Sequence, residues 1–314
     1  MRKTQTLLSA VCFGAENRHP NRIFVLFLVI LTAMAFPLAA WAADAQEAAI
    51  SFEALQNQLI NDQNAGFTKA QITRIYDNPG VFFDIKGVSS YFRHQESKLN
   101  YDQFLSGKSI RKAADYMRKY HADLLKAEIA YGVDKEVITA IMLVETRLGT
   151  YVGNRPVISI LSTMAALEDK TVRDRFWEKI PEKNRVTREA YEKKAVRKAK
   201  WAYKELIAFL TYVDQENMEP NDIYDIIGSY AGALGFAQFM PSNILILAED
   251  GNNDGSINLF HHADAIASIA NYLKHYGWKP GITREDAGKV VYHYNHSSYY
   301  VDIVLKITEK LKSS

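Results

Sequence analysis

Asp134-Lys-Glu-Val-Ile-Thr-Ala-Ile-Met-Leu-Val-Glu-Thr-Arg-Leu-Gly149 is the stretch on which the fold turns. Val137, Ile138, Ile141, Met142, Val144 and Leu148 fall at three- and four-residue spacing, which predicts a helix over Lys135–Leu148. Asp134 stands where an N-cap is wanted, and Gly149 is positioned to end the helix. Glu145 follows Ile141 by four residues and Ile138 by seven, so helical geometry aims it along the apolar side. Desolvation there disfavours the charged form and raises the pKa, as a general acid working near neutral pH requires. An ion pair from Glu145 to Arg147 or another base, holding a buried helix in place, explains the same pattern. Structural carboxylates on helices are common, so the helix alone favours the ion pair.

Outward from this segment the chain keeps the same period. Phe52 to Ala65, Lys69 to Tyr76, Ser109 to Tyr131, Ala190 to Asp214 and Ala263 to Tyr276 each carry apolar residues at helical spacing. Val81 to Ile85 and Val290 to Tyr294 are the only stretches that read as strands, so the class is mainly α with few short strands. Between Asp169 and Lys200 the chain is dense in Arg, Lys and Glu and is broken by Pro181. Residues 169–200 therefore read as a charged surface excursion: a solvated helix pair or loop, or a rim that touches an extended substrate.

Bulk properties narrow the function without naming it. With 314 residues and 48% apolar composition, the chain can bury at least one large core. Its 38 Lys and Arg against 36 Asp and Glu leave a net charge of +2, too weak a field to argue for nucleic acid. Arg2, Lys3, Arg18 and Arg22 precede an apolar run from Ile23 to Ala40, followed by Ala40-Trp41-Ala42. Residues 1–42 thus read as a signal peptide cleaved before Ala43, or, since the run is long, as an uncleaved N-terminal anchor. Either reading exports the body, residues 43–314, to the periplasm, with membrane contact only through an uncleaved segment. The single cysteine, Cys12, lies in the removed segment, so the mature chain carries no disulfide, thiolate metal site or cysteine nucleophile.

Two further segments carry ligand-binding chemistry. Gly228-Ser-Tyr-Ala-Gly-Ala-Leu-Gly-Phe-Ala-Gln-Phe-Met-Pro-Ser242 sets Ser229 and Gln238 in an apolar setting with glycines that permit close backbone approach. A sugar cleft has this mixture, and so does tight helix packing through small residues. Tyr292-His-Tyr-Asn-His-Ser-Ser-Tyr-Tyr300 offers rings that stack on pyranose faces, or an amphipathic surface packed on a helical core.

Asp250-Gly-Asn-Asn-Asp-Gly-Ser-Ile-Asn258 reads D-x-N-x-D-G, the opening half of an EF-hand-like loop, with oxygen donors on alternate residues. The twelfth position is His261, a poor calcium ligand, while Asp264 can close a longer loop. A plain Asx-rich turn is the alternative.

Together these segments resemble the lytic murein transglycosylase B family, a branch of the glycoside hydrolases with a lysozyme-like fold. The resemblance rests on Tyr131-Gly-Val, Val144-Glu-Thr-Arg147, the Gly228 to Ser242 run, Asp250 to Leu259, Asp264 to Tyr272, Tyr276-Gly-Trp278 and Tyr294-Asn-His-Ser297. It spans from about Phe52 to the C-terminus. It implies a goose-type lysozyme-like helical core with an embedded EF-hand-like calcium loop over 250–264. By resemblance Glu145 is the sole catalytic acid, and Ser229, Gln238, Tyr272, Tyr294, Asn295 and Tyr300 fall on the substrate cleft, with Tyr101 a weaker match. The calcium ligands implied are Asp250, Asn252, Asp254, Ser256 (through its carbonyl) and Asp264; calcium is structural, and catalysis uses no cofactor. The sequence departs at Leu167-Glu-Asp-Lys170, where the family has an Asn-Tyr-Pro-like stretch and arginine, so a cleft tyrosine and arginine are not located. Leu148 also replaces an aromatic residue common after the VETR motif.

The resemblance implies attack on peptidoglycan glycan strands at the MurNAc-β-1,4-GlcNAc bond. Glu145 protonates the glycosidic oxygen, then as carboxylate takes the proton from the muramic C6 hydroxyl, which closes onto C1 and gives a 1,6-anhydro end. Ser229 or Asn295 helps to orient the acetamido group. Cell-wall synthesis or remodelling proteins are the expected partners, and nucleic acid is not. Two other readings stay open: a hydrolytic muramidase of the same fold, whose product has a reducing end, and a non-catalytic calcium-dependent cell-wall-binding protein.

Overall fold

The computed structural model describes residues 51–93 and 99–313, so the expected signal segment lies outside the described residues. Helices follow one another as α1 (Glu53–Asn61), α2 (Lys69–Tyr76), α3 (Ile85–Arg93), a 3-10 turn (Tyr101–Leu105), α4 (Gly107–Lys119), α5 (His121–Tyr131) and α6 (Lys135–Thr146). Then come a two-residue strand β1 (Arg155–Pro156), α7 (Val157–Ala166), α8 (Lys170–Lys179) and α9 (Arg188–Gln215). The chain closes with α10 (Pro220–Asp225), β2 (Ile227–Gly228), α11 (Pro241–Leu247), α12 (His262–His275), α13 (Arg284–Tyr294) and α14 (Ser298–Lys312). Short polar residues set many of the starts. Thr68 and Gln71 form a reciprocal capping box on α2, and Ser106, Asp169, Thr187, Thr283 and Ser297 each accept an N–H of the first turn that follows.

Two helices form the centre. All ten residues of α7 are buried, and so is α6 from Val137 to Leu143. The long α9 packs on α7, while α14 packs on α6 and α12 on α5. A helix buried all round must satisfy its own polar side chains. On α7, Ser159 accepts the Phe82 N–H at 3.2 Å, Thr163 accepts the Asp84 N–H at 2.9 Å, and Ser162 meets the Tyr76 hydroxyl at 2.7 Å.

Those bonds explain one correction. Val81 to Ile85 is no strand: it runs irregularly into α3, because helix hydroxyls take the N–H groups that a neighbouring strand would have taken. Val290 to Tyr294 is the second correction, being the last part of α13, with Val290 and Val291 turned into the core. The Ser109 to Tyr131 helix is in fact two, broken at Tyr120 (φ −106°, ψ 30°). Asp134 stands at the N-cap of α6 without a capping hydrogen bond; its carboxylate meets Lys312 at 3.3 Å instead. In the charged region, α8 and the start of α9 bury Phe176 and Tyr191 completely and hold Arg173 on Glu192 at 2.6 Å, with charged outer faces.

Candidate active site

Glu145 occupies the last turn of α6, half-buried, immediately before the chain reverses. The reversal uses three successive left-handed residues, Arg147 (φ 52°), Leu148 (φ 65°) and Gly149 (φ 83°), two of which carry a Cβ and are strained there. Thr146 holds the turn. Its hydroxyl donates to the Phe236 carbonyl at 3.0 Å and accepts the Gly149 N–H at 3.0 Å. The helix thus ends earlier than Gly149, and the Arg147 guanidinium reaches Gln103 at 3.4 Å.

Opposite Glu145 lies the glycine-rich segment. β1 pairs antiparallel with β2, Arg155 facing Gly228 and Pro156 facing Ile227. The approach is closer than any side chain allows: a Cβ on Gly153 would stand 1.9 Å from the Gly228 carbonyl oxygen. This pairing delivers Ser229 and Tyr230 beside Asn154 and Arg155. Ser229 Oγ accepts the Ala231 and Ala233 N–H groups at 3.2 and 3.1 Å, which leaves its own hydrogen as the donor it can offer. Gln238 adopts φ 50° and commits its amide nitrogen to the carbonyls of Val152 (3.2 Å) and Gly235 (2.9 Å), so its oxygen is the atom it can present to a ligand.

Two cavities adjoin here, of about 260 Å³ and about 420 Å³, and Glu145, Ser229, Tyr230 and Gln238 line both. The smaller is completed by Ser90, Tyr151, Asn154 and Arg155, the larger by Tyr101, Gln103, Tyr294, Asn295 and Tyr300. Glu145 is the only carboxylate lining either of them among the described residues. Tyr272 does not line them. It lies 4% exposed behind Tyr294, ring edge to ring at 4.8 Å, and a phenol buried that deeply needs an internal acceptor, here the His293 carbonyl at 2.7 Å.

Aromatic rings set the electrostatics on one side of Glu145. Tyr300 stacks parallel to Tyr294 at 6.3 Å and meets Tyr101 edge-on at 6.4 Å. Tyr294 donates to the Ala237 carbonyl at 2.6 Å, whereas the Tyr300 hydroxyl faces Glu145. Burial first, and the Glu145 charge second, push both phenols well above the ordinary tyrosine range. Both remain neutral donors at any working pH.

Sequence reading missed Tyr230, Tyr151, Asn154 and Arg155. Arg155 is fixed by a buried partner, its Nη1 meeting the two oxygens of Asp84 at 3.0 and 2.9 Å. The available signal was Gly153-Asn154-Arg155-Pro156, a glycine before a short extended pair, and only the pairing with Gly228 gives it meaning.

The 250–264 loop lies next to this site and is tied to it. Phe236, whose carbonyl receives Thr146, donates its own N–H to Leu259 at 2.8 Å. Asp264, fully buried, accepts the N–H groups of Gly251 (3.0 Å) and Asn258 (2.8 Å) and so closes both ends of the loop. The Asp254 N–H is shared by Asp250 Oδ1 at 3.2 Å and Asn252 Oδ1 at 3.0 Å, which brings those two oxygens together inside the turn. Ser256 donates its hydroxyl to Glu216 at 2.6 Å, so its side chain points away. In a separate acidic group, Glu128 and Glu136 pair with Lys135 and Asp134 pairs with Lys312.

Residues 51–286 match the family described as Transglycosylase SLT domain. The chain is 28% identical over 214 residues to the membrane-bound lytic murein transglycosylase B of Escherichia coli (strain K12), covering 67% of this chain and 49% of that protein. It therefore spans about half the length of that curated relative. Among solved structures, SltB3 of Pseudomonas aeruginosa in complex with NAG-NAM-pentapeptide superposes with a TM-score of 0.66 at 21% identity, over 84% of this chain and 80% of that one. Escherichia coli Slt35 in complex with calcium gives a TM-score of 0.63 at 21% identity, over 83% and 92%. The fold is shared with both, and the chain belongs to the transglycosylase SLT domain family, in its lytic murein transglycosylase B branch.

Proposed function

We propose that the chain is a peptidoglycan lytic transglycosylase in which Glu145 serves as acid and then as base. The observation that carries this reading is that Glu145 is, among the described residues, the only carboxylate at the junction of two cavities. Most glycosidases that hydrolyse use a second carboxyl group to activate water or to form a covalent intermediate. With one acid, the nucleophile can come from the substrate itself.

A glycan strand lies along the cleft with the scissile bond over Glu145. Protonated Glu145 gives its proton to the glycosidic oxygen, the bond to the muramic C1 breaks, and the N-acetylglucosamine leaves with a new hydroxyl. Positive charge on the muramic ring is met by its own acetamido oxygen, held by donors such as Ser229 Oγ. Glu145, now a carboxylate, removes the C6 hydroxyl proton as O6 closes on C1, and the 1,6-anhydro end forms without water. Neutral Tyr294 and Tyr300 neither neutralise Glu145 nor compete for its proton.

The loop supplies hard oxygen donors in a turn already gathered by its own N–H groups, which suits calcium. Asp250, Asn252, Asp254, the Ser256 carbonyl and Asp264 would hold it, and the ion would supply positive charge that fixes the loop. Through Leu259, Phe236 and Thr146 a fixed loop holds the turn that carries Glu145. We place the enzyme outside the cytoplasm, acting on wall glycan with wall synthesis or remodelling proteins as partners. In support, the curated relative is named as membrane-bound. Mass spectrometry of the muropeptides released from sacculi tests the proposal: anhydro ends support it, and wholly reducing products reject it.

A further inference from the structure

The described cleft wall continues past Tyr230 into a patch that the reaction does not use. Ser90 lines the smaller cavity, and its chain neighbour Tyr91 meets Tyr230 at 6.3 Å and stacks on Trp201 at 6.4 Å with planes 13° apart. Above these rings stand two ammonium groups: Lys194 Nζ lies 5.2 Å from the Tyr91 ring, and Lys198 Nζ lies 5.1 Å from Tyr91 and 4.5 Å from Trp201. Lys194, Arg197, Lys198 and Trp201 recur at helical spacing, so α9 presents them along one side. Elsewhere in this region the charges are matched, Arg173 and Arg188 with Glu192 and Asp174. Lys194, Arg197 and Lys198 have no carboxylate within 4.0 Å among the described residues. Burial against the rings, followed by Lys198 and Arg197 for Lys194 and by Arg197 for Lys198, lowers the pKa of both lysines.

We propose that Lys194 and Lys198, on the Tyr91–Trp201 platform, form a carboxylate-binding site for the peptide stem of a glycan strand held in the cleft. The proposal rests on the glycan-cleaving reading of Glu145 for its occupant. A stem hangs from the muramic ring and carries free carboxylates, so it supplies an anion that these ammonium groups can take. It reaches the patch over Tyr230, which borders both cavities. Ring faces give apolar contact for the stem's side chains while the ammonium groups take the charge.

The experiment compares soluble glycan oligomers bearing stems with the same oligomers stripped of them by an amidase. Binding is measured by calorimetry in an E145Q background, where no cleavage intervenes. Stems are expected to tighten binding roughly three- to ten-fold at low salt, an advantage that fades with added salt. K194Q/K198Q is expected to remove the stem advantage, and K194R/K198R to keep most of it. Because Lys194 also donates to the Phe92 carbonyl at 3.0 Å, K198Q alone serves as the variant that leaves that bond in place, and is expected to lose part of the advantage. A stem advantage that is absent from the outset, or equal in all variants, overturns the site. An advantage lost in K194Q/K198Q from a protein that yields no anhydro product supports the site and rejects the transglycosylase reading.

Discussion

Thr146 donates its hydroxyl to the carbonyl of Phe236 at 3.0 Å across the boundary between α6 and the glycine-rich segment. Because Thr146 follows Glu145 directly, this bond couples the position of the carboxylate to the 250–264 loop, through the Phe236 N–H on Leu259. Replacing Thr146 by Val keeps the shape and strands the Phe236 carbonyl and the Gly149 N–H. A loss of about 1–3 kcal/mol in chemical denaturation is expected. The rate of anhydro-muropeptide release should fall with little change in KM, since substrate contacts remain. A fall confined to KM would refute the coupling.

Gly153→Ala tests the strand pairing that assembles the smaller cavity. At φ 102°, with the Gly228 carbonyl 1.9 Å from the new Cβ, neither backbone can yield without separating β1 from β2. A destabilisation of about 3 kcal/mol is expected, together with loss of activity at temperatures where the protein remains folded. A variant as stable as the parent would show that the close approach is not kept in solution.

Calcium should raise the melting temperature. At a hundredfold excess over Kd the gain is about 2.7 kcal/mol, or roughly 5–10 °C for a domain of this size. Asp250→Asn should abolish most of the rise while leaving the metal-free protein's melting temperature close to the parent's. A melting curve that ignores both calcium and chelator would remove the ion from the account.

Acid stability should carry the signature of His262. Its ring sits between Tyr120 at 4.2 Å and Phe236 at 4.5 Å, with Nδ1 3.0 Å from the Tyr116 hydroxyl. Burial, then Lys119 and His261, push its pKa from 6.5 down to about 4. The unfolded chain therefore takes up the proton first as pH falls, so the stability from this site is complete above 6.5 and is lost between 6.5 and about 4. Melting temperatures across that window should fall less steeply for His262→Gln than for the parent.

Much of this was legible in the chain. The α2 boundaries and the burial of Ile138 and Ile141 beneath Glu145 follow from apolar spacing alone, since a helix face is a local property. Ser229, Gln238, Tyr294, Asn295, Tyr300 and Tyr101 do border one cleft with Glu145. What failed was non-local. The two apolar stretches read as strands owe their conformations to hydroxyls on α7 and to burial on α13, neither visible in a window of five residues. Tyr230 and Arg155 were overlooked because their neighbourhood exists only once Gly153 meets Gly228. The depth of Tyr272 behind Tyr294 is likewise invisible in its motif.

The most direct measurement is of products from E145Q and the parent enzyme on purified sacculi, resolved by mass spectrometry. The Gln side chain keeps the size of Glu145 and removes its transferable proton. The parent should release muropeptides with 1,6-anhydro ends, and E145Q should release none above background while keeping the parent's fold by circular dichroism. Anhydro products from E145Q at the parent's rate would contradict the role given to Glu145 and the mechanism built on it.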